Sequence, residues 1–244
     1  MNDNSPMDST LDDLSHMPPQ HMLIDADDTL WQNNIYFEQA IDAFIDFLDH
    51  STMHPDRVRL VLQEIELANL TSHGYGSAGF AQSLQLCYQH LCERHVSQED
   101  IKTILGFANE ILMQEIDLLP GVDETLPQLA SRHELVIFTK GSEREQRSKI
   151  EKSGIDMHFL DAVVVPEKNE ESYRDVIRRL AWNPDSTWMV GNSPKSDINP
   201  ALAVGLNAVF IPHSNTWALE HQELKLGPGR FLQLTVFDEL LAHF

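Results

Sequence analysis

Hydrophobic and polar positions alternate along this chain with two different periods, and the change of period divides it. Near the start, Met22-Leu23-Ile24 forms a short apolar run between polar neighbours. A run of that length, bounded by turn residues, reads as a strand buried on both faces. From about Asn33 to Asp117 the spacing becomes helical. Ile35, Phe37, Ile41, Phe44, Ile45 and Leu48 mark one helix, and a break follows at Ser51 to Pro55. Pro55 suits the first turn of the next helix, whose apolar residues are Val58, Leu60, Val61, Leu62, Ile65 and Leu67. The run 73–77 is a loop, and two more helices are expected over 80–92 and 97–116. Ser97 stands as N-cap ahead of an acidic first turn.

After residue 118 the pattern changes again. A helix containing Leu126, Leu129 and Ala130 precedes a buried strand over 134–139, and a charged, exposed helix is expected over 143–152. Strands are expected at 162–165, 187–190 and 208–211, with a short sixth at 231–234. Helices are expected over 173–180, 199–204 and 238–243, and mostly loop over 214–228. Strands alternating with helices predict βαβ units and a mostly parallel sheet. Four consecutive helices with no strand among them predict a small helical bundle inserted after the first strand. The expected fold class is therefore α/β, a Rossmann-like parallel sheet with an inserted four-helix domain. The core takes residues 20–32 and 118–244, and the insertion 33–117. Residues 1–19 are polar and acidic and read as a disordered or loosely docked tail.

Composition narrows the function. The chain has 244 residues, 42% of them hydrophobic, ample for a core with an insertion. Its formal charge is −21, which argues against nucleic acid or an anionic membrane as partner, since both are polyanions. Cys87 and Cys92 lie at no metal-ligand spacing and read as ordinary thiols in a reducing compartment. No stretch approaches the length of a membrane span, and the acidic N-terminal stretch lacks the apolar segment of a secretory signal. Cytoplasm is the default location.

The candidate chemistry lies at four strand ends. The first strand delivers Asp25, Asp27 and Asp28, followed by Thr29. Three carboxylates in four positions repel one another unless a cation or donors compensate them. An acidic surface turn or a helix cap would use the same residue types. The second strand ends at Thr139-Lys140, Lys168 follows the third, and the fourth opens on Gly191-Asn192-Ser193 with Asp197 beyond. Parallel strands bring such ends to one edge of the sheet, where α/β proteins bind ligands. Carboxylates and an amide there suit a hard cation, best Mg²⁺ with its preference for oxygen donors. A hydroxyl and an ammonium suit a phosphate.

Asp25-Ala26-Asp27-Asp28-Thr29, Thr139, Lys168 and Gly191-Asn192-Ser193-Pro194-Lys195-Ser196-Asp197 resemble, in order and spacing, the four motifs of the haloacid dehalogenase superfamily of phosphohydrolases. The resemblance runs from about residue 21 to 212, with the helical insertion where that superfamily carries its first type of cap. It implies that Asp25 is a nucleophile forming an aspartyl-phosphate and that Asp27 is the general acid and base. Crowding by Asp25 and Asp28 is expected to push Asp27 toward a raised pKa. Thr139 and Lys168, with Lys140 in the same loop as a further candidate, would hold the phosphoryl group. Backbone N–H groups after Asp25 and after Thr139 would add donors. Mg²⁺ would sit on Asp25, the backbone carbonyl of Asp27 and Asp197, with Asn192 beside it or ligating through water. Two departures stand out. Asp28 takes a position that is often Gly, and Asn192 replaces the first acidic residue of the fourth motif, removing one negative charge.

The function implied is a Mg²⁺-dependent phosphatase acting on a small phosphorylated metabolite. A dehalogenase of the same superfamily would lack an acid/base at the position of Asp27. A phosphonate-cleaving enzyme would need a cap lysine in a special setting, and Lys102 has none. A non-catalytic binding module would be expected to have lost one of Asp25, Asp27, Thr139, Lys168 or Asp197, and all are present. Trp31 and Asn33 are expected to pack at the cap hinge.

Overall fold

The computed structural model describes residues 18–244, and most of the expected loose tail, residues 1–17, lies outside the described residues. Six strands form a single parallel sheet. β1 (His21–Ile24) lies between β2 (Glu134–Lys140) and β4 (Thr187–Gly191). β3 (Asp161–Val165) flanks β2, and β5 (Asn207–Phe210) and β6 (Phe231–Gln233) complete the order β3-β2-β1-β4-β5-β6. Ile24 stands opposite both Ile137 and Val190 in register. The residues that follow therefore leave the sheet together along one edge.

The helices, in chain order, are α1 (Asn34–Leu48), α2 (Pro55–His73), α3 (Ser77–Leu91), α4 (Gln98–Met113), α5 (Val122–Ala130), α6 (Glu143–Ser153), α7 (Glu170–Leu180) and the short α8 (Asn199–Ala203). Successive strand side chains point to opposite faces. Met22, Ile24, Leu135, Ile137, Trp188 and Val190 pack on one face with Leu126 and Leu129 of α5 and Ile150 of α6. Leu23, Val136, Phe138 and Met189 pack on the other with Tyr173, Val176 and Ile177 of α7. Both faces are covered, which is why the central strands carry almost no polar side chain before their ends.

α1 to α4 build a separate core around Phe44, Leu62, Leu84, Tyr88 and Ile104. Burying side chains of this size stabilises by roughly 1.5–3 kcal/mol each. The helix starts are set locally. Pro55 occupies the first turn of α2, and Ser97 and Asp100 form a reciprocal capping box at α4 (3.0 and 2.9 Å). Two chain crossings join this bundle to the sheet. Gln32 N–H donates to Asp117 O (2.8 Å) and Leu119 N–H to Leu30 O (2.9 Å), beside the fully buried Trp31.

Some elements differ from expectation. The segment expected as a last helix is a run of tight 3₁₀ turns over Phe237–Ala242. A π-turn, Pro194–Ile198, precedes α8 and widens the backbone where the fourth motif lies. Helix α6 is not simply an exposed charged helix, because Gln146 and Ile150 are buried.

Candidate active site

The first residue past β1 anchors the site. Asp25 N–H donates to Val190 O (2.9 Å), so the sheet fixes its backbone. Its carboxylate accepts a hydrogen bond from Thr29 Oγ1 (3.1 Å) and a close ion pair from Lys168. Lys168, only 3% exposed, also reaches Asp197 Oδ1 at 2.7 Å. One ammonium thus bridges two carboxylates drawn from opposite ends of the chain. Burial and the charge of Asp197 push the Asp25 carboxyl up to about 7, against the opposing pull of Lys168. Burial opposes the charge on Lys168, yet Asp197 and Asp25 raise its pKa above the ordinary value.

Asp27 and Asp28 turn away from Asp25 in different directions. Asp27 accepts from Trp31 Nε1 (2.8 Å), Gln146 Nε2 (2.7 Å) and Lys149 Nζ (2.7 Å). Burial raises its pKa, but the charge of Lys149 and these three donors outweigh burial and hold it below the usual carboxylate value. The expected upward push from crowding is therefore overturned. The reason is that α6 supplies a cation and an amide that its exposed-helix reading concealed. Asp28 sits at φ 60, the left-handed region that favours Gly, Asn or Asp. Its carboxylate accepts from the N–H groups of Asn33 (2.9 Å) and Asn34 (3.1 Å) at the start of α1. Burial lifts Asp28 to about 7 in spite of those donors. Asp28 is thus a structural brace for the entry to the insertion, and its backbone conformation accounts for the position otherwise taken by Gly.

The fourth strand end depends on a glycine. A Cβ on Gly191 would stand 2.3 Å from Asp197 Oδ2, so only Gly lets that carboxylate close on the loop. Ser193 N–H donates to the same oxygen (2.9 Å), and Tyr173 OH donates to the carbonyls of Ser196 (2.9 Å) and Asp197 (3.2 Å). Asn192 gives its amide N–H to Thr216 (3.1 Å), which turns its Oδ1 toward Thr29 (3.4 Å) and Asp25. Thr139 is buried at the end of β2, and its hydroxyl has no partner among the described residues. Of the backbone donors expected after Thr139, Gly141 N–H is instead donated to Val165 O (3.0 Å). Lys140 lines the cavity, but its ammonium is held by Glu220 (2.6 Å) and Ser196 (2.9 Å) and lies 4.3 Å above the Tyr75 ring.

These groups line one end of a cavity of about 630 Å³, whose other wall is the helical insertion. The insertion reaches down to the sheet edge. Tyr75 OH donates to Glu167, and Ser77 donates through N–H (3.1 Å) and Oγ (2.8 Å) to Glu145. Gly76, at φ 105, lets this loop pass against Glu145. The donors available to a divalent cation are Asp25, Asp197, the Asn192 amide oxygen and the Asp27 backbone carbonyl. All are hard oxygens, the set that suits Mg²⁺. Among the described residues no group of three acidic, His or Cys side chains gathers at metal-binding spacing. The set is therefore two carboxylates completed by neutral oxygens, one charge poorer for having Asn192.

The sequence pattern of the family described as "haloacid dehalogenase-like hydrolase" matches residues 19–205. The chain belongs to that family. The matched residues bracket the site just described, from the residues before β1 to Gly205 after α8. A curated glyceraldehyde 3-phosphate phosphatase of Methanothermobacter thermautotrophicus is 29% identical over 128 residues, 50% of this chain and 54% of its own. The chain thus matches about half the length of that relative. A haloacid dehalogenase-like hydrolase structure from Xanthomonas campestris superposes with a TM-score of 0.74 at 29% identity, covering 86% of this chain and 87% of that one. An L-2-haloacid dehalogenase of Xanthobacter autotrophicus with chloropropionic acid covalently bound superposes at 0.62 and 12% identity, over 91% and 97%. At that identity the dehalogenase shares the fold alone.

Sequence reasoning passed over Lys149, Gln146 and Glu220. A basic residue three or four positions from buried ones on a helix following a site strand was the available signal for the first two. Glu220 lay in a segment read as loop. It accepts from Lys140, Ser193 (2.7 Å) and Ser196; burial raises its pKa, but these partners bring it down to about 2.

Proposed function

We propose that this hydrolase is a Mg²⁺-dependent phosphatase that cleaves a small phosphorylated metabolite through an aspartyl-phosphate on Asp25. The observation that carries the reading is the separation of two carboxylates by environment. Asp25 is bound to Lys168 and Thr29 at the floor of the cavity, whereas Asp27 is held apart by Lys149, Gln146 and Trp31. A nucleophile and a separate acid/base are what phosphoryl transfer through a carboxylate requires. An oxygen of Asp25 attacks phosphorus and forms the P–O bond, and the P–O bond to the leaving group breaks. Asp27, held ionised in the free protein, takes the proton of the substrate's monoanion and passes it to the departing oxygen, then takes a proton from the water that attacks the phosphorus of the aspartyl-phosphate. That attack returns Asp25 and inorganic phosphate.

Lys168 and the Thr139 hydroxyl hold the phosphoryl oxygens, and the N–H groups of Ala26 and Asp27, which have no backbone acceptor among the described residues, add donors. Lys140, tied to Glu220, shapes the wall and leaves the phosphoryl group to those residues. Asp25, Asp197, Asn192 and the Asp27 carbonyl would hold Mg²⁺, which supplies charge neutralisation between the carboxylates and the phosphate dianion. The insertion acts as a cap that closes over the substrate through Tyr75 and Ser77 and excludes water.

The dehalogenase reading gives Asp27 no part, whereas the phosphatase uses it; Lys149, Gln146 and Trp31 fix its position and hold it ionised, the form that acts as base on the attacking water. The test is hydrolysis of para-nitrophenyl phosphate with and without Mg²⁺, beside Asp25→Asn. The expected result is Mg²⁺-dependent turnover that falls by more than about 10³-fold in the variant. Turnover that persists in Asp25→Asn contradicts the proposal. If the wild type is silent at millimolar Mg²⁺, Asn192→Asp restores turnover on this reading, and silence in both contradicts it.

A further inference from the structure

The cap side of the cavity carries a carboxylate that the chemistry does not use. Glu66, on α2, lines the same cavity as Asp25 and Asp27. It is half-buried, and among the described residues it neither accepts a hydrogen bond nor pairs with a cation. Its surroundings are otherwise accounted for. Glu38 is paired with Arg59 (2.6 Å), and Asn69 donates to Ser83 (3.1 Å), which in turn donates to Gly79 O. Phe37 and Phe80 pack edge to face at 5.1 Å and, with Ile41 and Leu70, make an apolar patch on that wall; Asn109 and Glu115 also line the cavity but are exposed.

The cations that line the cavity all come from the sheet side. Lys140, Lys149 and Lys168 are each held by a carboxylate, and Arg144 and Lys152 are exposed on α6. No Lys, Arg or His of the insertion lines the cavity among the described residues. The cavity thus has two unlike ends. One gathers cations around a reactive carboxylate and suits a phosphate. The other offers Glu66, a half-buried acceptor without a partner among the described residues, beside an apolar patch.

We propose that Glu66 selects phosphomonoesters whose far end carries a hydrogen-bond donor, a hydroxyl or an ammonium, and rejects those whose far end is an anion. This deepens the phosphatase reading and rests on it. A buried acceptor without a partner is costly, and a substrate that brings a donor removes that cost on binding. A substrate ending in a carboxylate or second phosphate would meet Glu66, whose charge no cation pairs among the described residues (Arg59 is held by Glu38), and an unpaired like charge is an effective means of rejection. Burial and the charge of Glu38 push Glu66 up to about 7, the state of an acid that lacks a donor and gains one with the ligand. A cavity of about 630 Å³ closed by the 74–77 loop suits a compact metabolite.

The experiment compares kcat/KM for glycerol 3-phosphate, phosphoethanolamine, 3-phosphoglycerate and para-nitrophenyl phosphate in the wild type, Glu66→Gln and Glu66→Lys. The expected wild-type result is a preference of more than about tenfold for the first two over 3-phosphoglycerate. Glu66→Lys reverses that preference. Glu66→Gln loses about tenfold on phosphoethanolamine if the natural donor is an ammonium, and only a few-fold on both donor substrates if it is a hydroxyl. The loss falls mainly on KM, because the contact is remote from phosphorus. Turnover of para-nitrophenyl phosphate, which has no donor, stays within a few-fold in both variants and reports the intact reaction. A panel without discrimination, or discrimination unchanged in both variants while para-nitrophenyl phosphate is still cleaved, overturns the role of Glu66. Loss of para-nitrophenyl phosphate turnover from the wild type as well overturns the phosphatase reading and the inference together.

Discussion

The two ends of the cavity are built on opposite principles. At the sheet edge almost every charge has a partner. Lys168 joins Asp25 to Asp197, Lys149 holds Asp27, and Lys140 holds Glu220. The insertion's wall carries an apolar patch, and its Glu66 is left without a partner among the described residues. Pre-paired charge fixes side chains in place before substrate arrives, which is what positioning a phosphoryl group demands. An unpaired acceptor beside an apolar patch does the reverse. It contributes nothing until a ligand fills it, so it discriminates among ligands. The difference assigns reaction to the sheet and choice of substrate to the insertion.

Replacing the acid/base sharpens this division most. Asp27→Asn is expected to lower kcat by about 10²–10⁴-fold. The loss is greatest for alkyl phosphates, whose leaving oxygen needs a proton, and least for para-nitrophenyl phosphate. An equal loss on both substrates would break the assignment of Asp27 as acid.

Lys149→Met removes one member of a pre-paired set and leaves Asp27 buried without its cation. A cost of about 1–3 kcal/mol is expected, or several degrees in Tm for a chain of this size. The sign of its pH dependence follows from the lowered pKa of Asp27. A carboxylate held low in the fold contributes stability above its unfolded pKa, near 4, and that contribution is lost as pH falls through the folded value. The deficit of the variant should therefore be full at pH 7 and shrink below pH 4, as thermal melts across that range would record.

Glu66→Gln tests the other end, and its effect on stability should have the opposite sign. Glu66 is raised from 4.5 to about 7, so its ionised form weighs against the fold as pH climbs through that interval, and fully above it. The variant should melt a few degrees higher than wild type at pH 8 and at nearly the same temperature at pH 5. A lower Tm at pH 8 would mean that Glu66 has a partner.

Asp28→Asn should change activity least. Asn tolerates φ 60 and keeps an acceptor for the Asn33 and Asn34 amides. Near pH 4, where Asp28 is protonated in the fold, stability is expected to move by less than about 0.5 kcal/mol, and at pH 8 it should rise as it does for Glu66→Gln; kcat/KM should move by less than twofold. A larger loss of activity would place Asp28 in the reaction rather than at the base of α1.

The same contrast governs how much of the protein could be read from its residues. The strand run Met22-Leu23-Ile24 and the polar residues at the strand ends were legible because a parallel sheet converts sequence position into spatial position. Asp25, Thr139, Lys168, Asn192 and Asp197 meet for that reason. The four helices between 33 and 117 were legible from their period, and Ser97 and Pro55 from capping chemistry. What escaped was set by side-chain reach. Lys149 looks like any lysine of a charged helix until α6 docks beside β2. Glu220 is one acidic residue among many in a loop until two serines and Lys140 close on it. Glu66 is recognisable only by what does not touch it, which no spacing encodes. The direction of the Asp27 shift was misjudged for the same reason, since its cation arrives from 122 residues away.

The central claim is that Asp25 attacks phosphorus, and it can be tested on the trapped enzyme. Asp27→Asn is mixed with Mg²⁺ and para-nitrophenyl phosphate, whose departing oxygen needs no proton so that only the second step is slowed, then quenched in acid and analysed by peptide mass spectrometry. The account predicts a phosphoryl adduct on the peptide carrying Asp25, absent when Asp25→Asn is added. An organic ester on Asp25, or wild-type turnover with no adduct trapped in Asp27→Asn, would contradict it.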